Sequence, residues 1–358
     1  MVDQQLAPSR LTVGFLTFGD NNVGMGHLYR CRALAMGIAA QAPGSDMTFC
    51  VEGDGAAILA EIPEANVSVV TAWDAGGVIW DAIIVDRLNA APSQIALLKQ
   101  DCRCLVSLDD TGDGRLGADI AVNALYPPPM TAPMTAPLNQ RRLALDGPAY
   151  LAIDHRFVND SRTVGPGVEH LLVTQGGSDT YGVVPRLVAL MVPWLAEHAA
   201  ITLHVQTGPG FEAGAALNAV LKSLPGDIEE RIEWHHGVDD LAAMFHGMDL
   251  AISAAGITAF ELAASGVPLL LVTAEPKEIE TAHRLDDTGM AINLGHFDRL
   301  IPAALNDVLN RAVEDQALRR RLSSKGRQVV DGRGVERIVD AIMQYLRPHA
   351  PERIEVGT

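Results

Sequence analysis

Apolar residues fall along this chain in two rhythms. Short unbroken apolar runs occupy residues 11–18, 47–51, 67–70, 82–85 and 104–108, with a weaker run at 120–122. Between them, at 28–40, 56–61 and 92–99, apolar positions return every three or four residues. The unbroken runs predict strands buried on both faces, and the second rhythm predicts amphipathic helices. The alternation then begins again. It predicts strands at 170–174, 201–205, 232–234, 250–253, 268–272 and 291–294. Helices are predicted at 183–197, 213–224, 240–247, 258–265, 278–288, 302–325 and 335–346. Strands and helices alternating in this way build a parallel sheet covered on both faces. Two such series predict an α/β chain with two Rossmann-like domains facing across a cleft, and ligands at the C-terminal ends of the strands. The expected divisions are 1–155, 156–333, and a closing helix and tail at 334–358.

The two series are separated by Tyr126-Pro127-Pro128-Pro129-Met130 and a small tandem repeat, Thr131-Ala132-Pro133-Met134-Thr135-Ala136-Pro137. Proline excludes a central strand or a helix interior here, so a loop just before the domain boundary is expected. A length of 358 residues suits two domains. Aromatics are only 5% against 48% hydrophobic residues overall, so Ala, Val, Leu and Ile must fill the cores.

The net charge of −17 argues against a nucleic-acid partner and an anionic membrane surface. It leaves room for a small phosphorylated ligand, because a helix N-terminus holds phosphate without net positive charge. Cys31, Cys50, Cys102 and Cys104 form no C-x-x-C pair, and no His/Cys cluster has zinc spacing. Reduced thiols are expected, with no metal site and no cofactor. Residues 1–10 lack the apolar core of a signal peptide. The long apolar stretch at 250–272 is broken by Gly256, Glu261, Gly266 and Pro268, which fits strand, helix and strand better than a membrane span. A cytoplasmic protein without stable membrane insertion is the expectation.

Candidate chemistry gathers at the ends of predicted strands. Gly24-Met25-Gly26-His27 follows the first strand and opens a helix. Glycines there let the backbone approach a ligand closely, and a histidine can hold or take a proton near neutral pH. The third glycine of a dinucleotide fingerprint is missing, and a plain turn with a packed histidine fits the spacing equally well. Gly176-Gly177-Ser178-Asp179 holds the same place in the second series, where Ser178 or Asp179 can simply cap the next helix. Ser253-Ala254-Ala255-Gly256-Ile257-Thr258 puts small residues before another helix, and Glu261 lies one turn inside it. A carboxylate there can accept from two adjacent hydroxyls such as a ribose pair, or answer Thr258 in a capping box. Asp86 and Asp109-Asp110 end two more strands, with Asp113 just beyond. They are placed to bind sugar hydroxyls, to orient His27, to hold a metal whose site nothing else in the sequence completes, or to serve their own turns. His235-His236 sits on a strand whose neighbours point to opposite faces, so the pair is expected to line a loop at the cleft rather than chelate.

Taken together, Gly24-Met25-Gly26-His27-Leu28-Tyr29-Arg30-Cys31-Arg32-Ala33-Leu34-Ala35 resembles the G-x-G-H-x-x-R-C-L-x-L-A signature of the UDP-sugar hydrolases of the pseudaminic-acid pathway. Those enzymes remove UDP from a 2,4-diacetamido-2,4,6-trideoxy sugar. Val85-Asp86, Leu108-Asp109-Asp110, Gly176-Gly177-Ser178-Asp179, Ala254 to Glu261 and Gly266-Val267-Pro268 follow in matching order. The resemblance spans about residues 11–300 and reaches the wider glycosyltransferase B (GT-B) superfamily, including the transferase that adds N-acetylglucosamine in peptidoglycan synthesis.

The resemblance implies a GT-B fold and a histidine base, His27. It implies diphosphate binding by Gly256, Ile257 and Thr258, ribose binding by Glu261, and Gly177 and Ser178 near the phosphates. Gly24, Gly26, Arg30, Asp86, Asp110, Gly176, His236 and Ala255 complete the expected substrate-binding set. One stretch departs from the family. Where it usually has Asn-Gln after the strand that follows G-x-P, this chain reads Thr273-Ala274-Glu275-Pro276-Lys277-Glu278-Ile279-Glu280.

The resulting expectation is hydrolysis of a UDP-sugar at its anomeric carbon. The alternatives are a GT-B glycosyltransferase, with a sugar, lipid or peptide acceptor in place of water, and a non-catalytic nucleotide-sugar binder.

Overall fold

The computed structural model describes residues 10–19, 26–53, 59, 62–63, 65–125 and 142–347. Gly24, the proline-rich segment and all but residue 59 of the helix expected at 56–61 lie outside the described residues.

The first series forms a seven-stranded sheet. Its strands are β1 (Thr12–Phe18), β2 (Asp46–Glu52), β3 (Asn66–Val70), β4 (Trp80–Asp86), β5 (Cys102–Leu108), β6 (Ile120–Asn123) and β7 (Leu143–Asp146). Their spatial order is β3-β2-β1-β4-β5-β6-β7, and every pairing is parallel. Successive residues go to opposite faces. Val13 and Phe15 meet Leu28, Cys31, Leu34 and Ile38 of α1 (Gly26–Gln41). Leu16, with Ile83 and Val85 of β4, meets Ile95 and Leu98 of α2 (Pro92–Leu98) on the other face. Each fully buried Leu or Ile contributes about 1.5–3 kcal/mol, which is why both faces need a helical cover.

The second sheet has six parallel strands, β8 (His170–Thr174), β9 (Thr202–Thr207), β10 (Ile232–His236), β11 (Leu250–Ser253), β12 (Leu269–Thr273) and β13 (Ala291–His296), in the order β10-β9-β8-β11-β12-β13. Leu171 and Val173 pack with Val184, Leu187 and Trp194 of α3 (Val183–Glu197). On the opposite face, Leu172, Leu269 and Leu271 pack with Phe260 and Leu262 of α7 (Ile257–Ala264). The other helices of this half are α4 (Gly214–Lys222), α5 (Gly226–Glu229), α6 (Leu241–His246), α8 (Pro276–Asp287), α9 (Pro302–Glu314) and α10 (Gln316–Val329). In both sheets the strand order reverses beside the first strand of the series. The crevices between β1 and β4 and between β8 and β11 are therefore the expected ligand positions.

Besides the short α5, which no expected helix covers, two elements differ from expectation. The helix expected over 302–325 is two helices, broken at Asp315. That residue leaves the helical region (φ −90°, ψ 87°), and its carboxylate caps α10 by accepting from the Leu318 N–H at 2.8 Å. The buried Arg319 then donates to the Ala312 carbonyl at the end of α9 and to the Pro166 carbonyl, both at 2.8 Å. The edge strand β7 was not foreseen. Three of its four residues are exposed, so no buried pattern marks it.

The chain passes between the halves twice. After the second sheet it returns as α11 (Gly334–Leu346), whose Ile338, Val339, Ile342, Met343 and Leu346 complete the core of the first. The return passage lies against the outward one. Gly334 packs so tightly on the Leu151 carbonyl that a side chain there would overlap it. Gly332, at φ +71°, does the same against Val158. Arg337 donates to the Ala149 carbonyl and to Asp331, both at 2.7 Å.

Candidate active site

The first crevice holds a charged network at its base. Asp86 ends β4 and is fully buried, and the start of α1 brings His27 and Arg30 over it. Nδ1 of His27 lies 2.7 Å from Asp86 Oδ1. The Arg30 guanidinium donates through Nε to Asp86 Oδ2 at 2.5 Å, and Nη2 donates to Oδ1. Nη1 donates to Asp109 Oδ2 at 2.6 Å. Asp109 Oδ1 in turn accepts from the Leu125 N–H at 2.9 Å. Burial by itself would raise the Asp86 carboxyl, but Arg30 and His27 outweigh it and hold Asp86 at about 2. Burial raises Asp109 despite Arg30, while the paired carboxylates keep Arg30 firmly protonated against its own burial.

The network fixes the role of the imidazole. An ionised carboxylate only accepts, so the Asp86 contact assigns the proton to His27 Nδ1. Arg30 Nη2, 2.9 Å from the same nitrogen, has no lone pair to offer it. Nε2 is left with its lone pair and can act as a base. Phe18 at the end of β1 holds the ring from one side, with the centroids 4.0 Å apart.

Three expected ligand contacts are redirected here. Arg30 and Asp86, at 4% and 0% exposure, are spent on each other and on His27, so neither side chain is open to a ligand. Of the roles the sequence left to Asp86, orienting His27 is the one its contacts match. Asp110 turns into its own loop, where Oδ1 accepts from the Gly112 N–H at 2.8 Å. The neighbouring Asp109, in left-handed backbone (φ 46°), is the residue that reaches Arg30.

Across the cleft, α7 starts at the C-terminal end of β11. Its N-cap is Gly256, which has no side chain to offer the first N–H groups. Ala254 and Ala255 precede it and Thr258 follows. Gly176, at φ +76°, lies in the turn after β8 opposite them, and a Cβ there would sit 3.6 Å from Thr258 Oγ1. The two loops that flank the second crevice thus meet at the start of α7. Gly177 has open space at its Cα, and its carbonyl accepts from the Gly210 N–H at 3.1 Å. Asp179 caps α3, accepting from the Val183 and Val184 N–H groups at 2.8 and 2.9 Å, while Ser178 is half-buried and turned to Thr180.

With Gly256 as N-cap, Glu261 stands too far into α7 to form a capping box with Thr258. Burial, reinforced by the charge of Asp154, raises its carboxyl to about 7. His236 is exposed at the end of β10, with Nδ1 3.1 Å from Thr207 Oγ1. The departing segment after β12 is used locally. Glu278 accepts from the Ala274 and Glu275 N–H groups at 2.8 and 3.1 Å and so caps α8.

The two crevices face each other. A Cβ on Gly26, the residue before His27, would come 2.8 Å from Ile257 Cδ1, at the first turn of α7. The start of α1 and the start of α7 therefore converge on one space.

A further group was missed in sequence, where no metal-ligating set was recognised. His204, Glu233 and His235 share one face of the second sheet, each offering a ligand atom to the same point. The signal lies in strand register and not in spacing, since His204 and His235 are 31 residues apart. Burial lowers the His204 pKa, His170 and His235 add to this, and Glu233 opposes it.

Comparison with known proteins supports the architecture. No family model matches the chain. The spore coat polysaccharide biosynthesis protein SpsG of Bacillus subtilis is 25% identical over 349 residues, covering 93% of this chain and 98% of that protein. The crystal structure of the glycotransferase of kitacinnamycin superposes with a TM-score of 0.66 at 16% identity, over 95% of this chain and all of that one. The S. aureus MnaA–UDP co-structure gives 0.61 at 12% identity, over 94% and 97%. The fold is GT-B. No helix among the described residues is long and apolar enough to cross a membrane.

Proposed function

We propose that this protein is a nucleotide-sugar enzyme of the GT-B type that transfers a glycosyl group from a UDP-sugar to an acceptor hydroxyl. The observation that carries the reading is the approach of Gly26 to Ile257. It sets a carboxylate-oriented histidine against an uncapped helix N-terminus, so a base and an anion-binding site face one substrate-sized space. His27 Nε2 takes the acceptor proton as its oxygen attacks the anomeric carbon. The bond from that carbon to the diphosphate oxygen breaks, and UDP leaves with the electron pair. The free N–H groups of Ile257 and Thr258 and the dipole of α7 stabilise the charge that develops on the diphosphate. The imidazolium formed on His27 is matched by the carboxylates of Asp86 and Asp109. Glu261, as a carboxylate, accepts from the ribose hydroxyls.

Water as the nucleophile was the first expectation. The comparisons favour the acceptor instead: SpsG is named for polysaccharide biosynthesis, and the kitacinnamycin protein, which shares the fold, for glycosyl transfer. The UDP in the MnaA co-structure supports the choice of nucleotide. Incubation with UDP-sugars, alone and with sugar, lipid or peptide acceptors, separates the cases. UDP release that waits for an acceptor supports the transferase. Fast release in buffer alone makes water the nucleophile. UDP binding without release in any mixture would replace catalysis with plain binding.

A further inference from the structure

On the edge of the second sheet, β8, β9 and β10 present a polar patch where the rest of that face is apolar. The register sets Leu172 beside His204, His204 beside Glu233, and Gln206 beside His235. The residues between them, Val173, Val205 and Trp234, point into the apolar core behind. Alternation therefore sends His235 to the polar face and its neighbour His236 away from it.

On this face three donor atoms converge. His204 Nδ1 lies 3.3 Å from Glu233 Oε2 and 3.2 Å from His235 Nε2, and His235 Nε2 lies 3.4 Å from Glu233 Oε2. Four donors held about 2.0–2.1 Å from a tetrahedral ion are about 3.3–3.4 Å from one another. The three separations match one face of that tetrahedron. We propose that His204, Glu233 and His235 bind a zinc-class divalent transition metal, with water completing the set.

The surroundings have the form that such sites take. The other nitrogen of His204, Nε2, lies 2.9 Å from His170 Nδ1 on β8. A hydrogen bond there fixes the tautomer that leaves Nδ1 free to ligate, the usual second contact of a metal-bound histidine. Two imidazoles and one carboxylate suit zinc and its first-row neighbours, not calcium or magnesium. His204 is buried at 7% exposure and anchored in β9, whereas Glu233 and His235 reach in from the edge strand β10. An ion here ties the outermost strand to its neighbour. It lies across β8 from α7, so its role is to hold the sheet edge and not to touch the proposed sugar site.

The test uses full-length, tag-free protein stripped with a chelator and titrated with Co²⁺. One equivalent is expected to give the visible bands of tetrahedral cobalt, and Zn²⁺ to displace it. Zinc at a hundredfold excess over its Kd is expected to raise Tm by about 3–4 °C. Glu233→Ala alters an exposed side chain and His235→Ala a half-buried one on the edge strand, and both are expected to lose the bands and the Tm shift. His236→Ala keeps them. No cobalt band in the wild type overturns the site, as does one-equivalent binding that survives the double variant His235→Ala/Glu233→Ala. The readout is occupancy, so it stands apart from whether the enzyme turns over a UDP-sugar.

Discussion

Oδ1 of Asp86 sits 2.7 Å from Nδ1 of His27, and this contact, made 59 residues apart in sequence, decides which nitrogen of the ring is basic. Replacing the carboxylate with an amide should therefore harm catalysis without emptying the site. Asp86→Asn is expected to lower kcat about 10²- to 10⁴-fold, through loss of the tautomer and of imidazolium stabilisation, with little change in KM for the donor. His27→Ala should fall at least as far. Steady-state UDP release measures both. An Asp86→Asn enzyme with unimpaired kcat would sink the base assignment.

Arg30 is expected to matter for stability more than for binding. Its removal leaves two buried carboxylates facing each other, and breaking such a cluster costs about 3–5 kcal/mol. Urea unfolding of Arg30→Met should show that loss. Asp86 adds a pH signature. Its folded value of about 2 lies below the ordinary 3.8, so its stabilisation is complete above pH 3.8 and disappears as the pH falls towards 2. Asp109, raised by burial, acts in the opposite sense, favouring the folded state less as the pH rises through its own folded value.

Glu261 gives a second pH signature. Its carboxyl, ordinarily near 4.5, is raised to about 7, so the folded chain holds a proton that the unfolded chain has lost. The stability linked to that proton is complete below pH 4.5 and is lost as the pH rises through about 7. Glu261→Gln, which cannot ionise, should gain Tm relative to wild type between pH 5 and 8. Wild-type UDP affinity should strengthen over the same range as the ribose-accepting carboxylate forms, and the Gln variant should lack that trend in calorimetry.

Gly26 is predicted to be a spacing residue. Gly26→Ala places a methyl against the flexible tip of Ile257, so folding should lose about 1 kcal/mol or less while the donor KM rises. Ile257→Val removes the opposing Cδ1. The double variant Gly26→Ala/Ile257→Val should recover donor KM; if the two effects simply add, the contact across the cleft is not what limits binding.

The strands were legible because a parallel strand buried on both faces leaves an unbroken apolar run, as at Leu171-Leu172-Val173. The break at Asp315 was not. Leu305, Leu309, Ala312, Leu318 and Leu322 all remain buried on either side of it, and only the capping aptitude of Asp315 announces it. Within the site, His27 was legible as chemistry, but which of Asp109 and Asp110 joins Arg30 beneath it was not. That choice rests on a left-handed backbone at Asp109, which is unusual for a residue other than glycine. His204, Glu233 and His235 lay beyond reach because only the register of two strands makes them neighbours.

The two chain passages between the halves lie side by side, with Gly334 seated on the Leu151 carbonyl and Gly332 against Val158. A single linker would let one half swivel freely over the other. Two adjacent pins allow rotation about the line that joins them and resist twisting about any other. The spacing of His27 and Ile257 across the cleft is thus set in part by two glycines that lie on neither face of it.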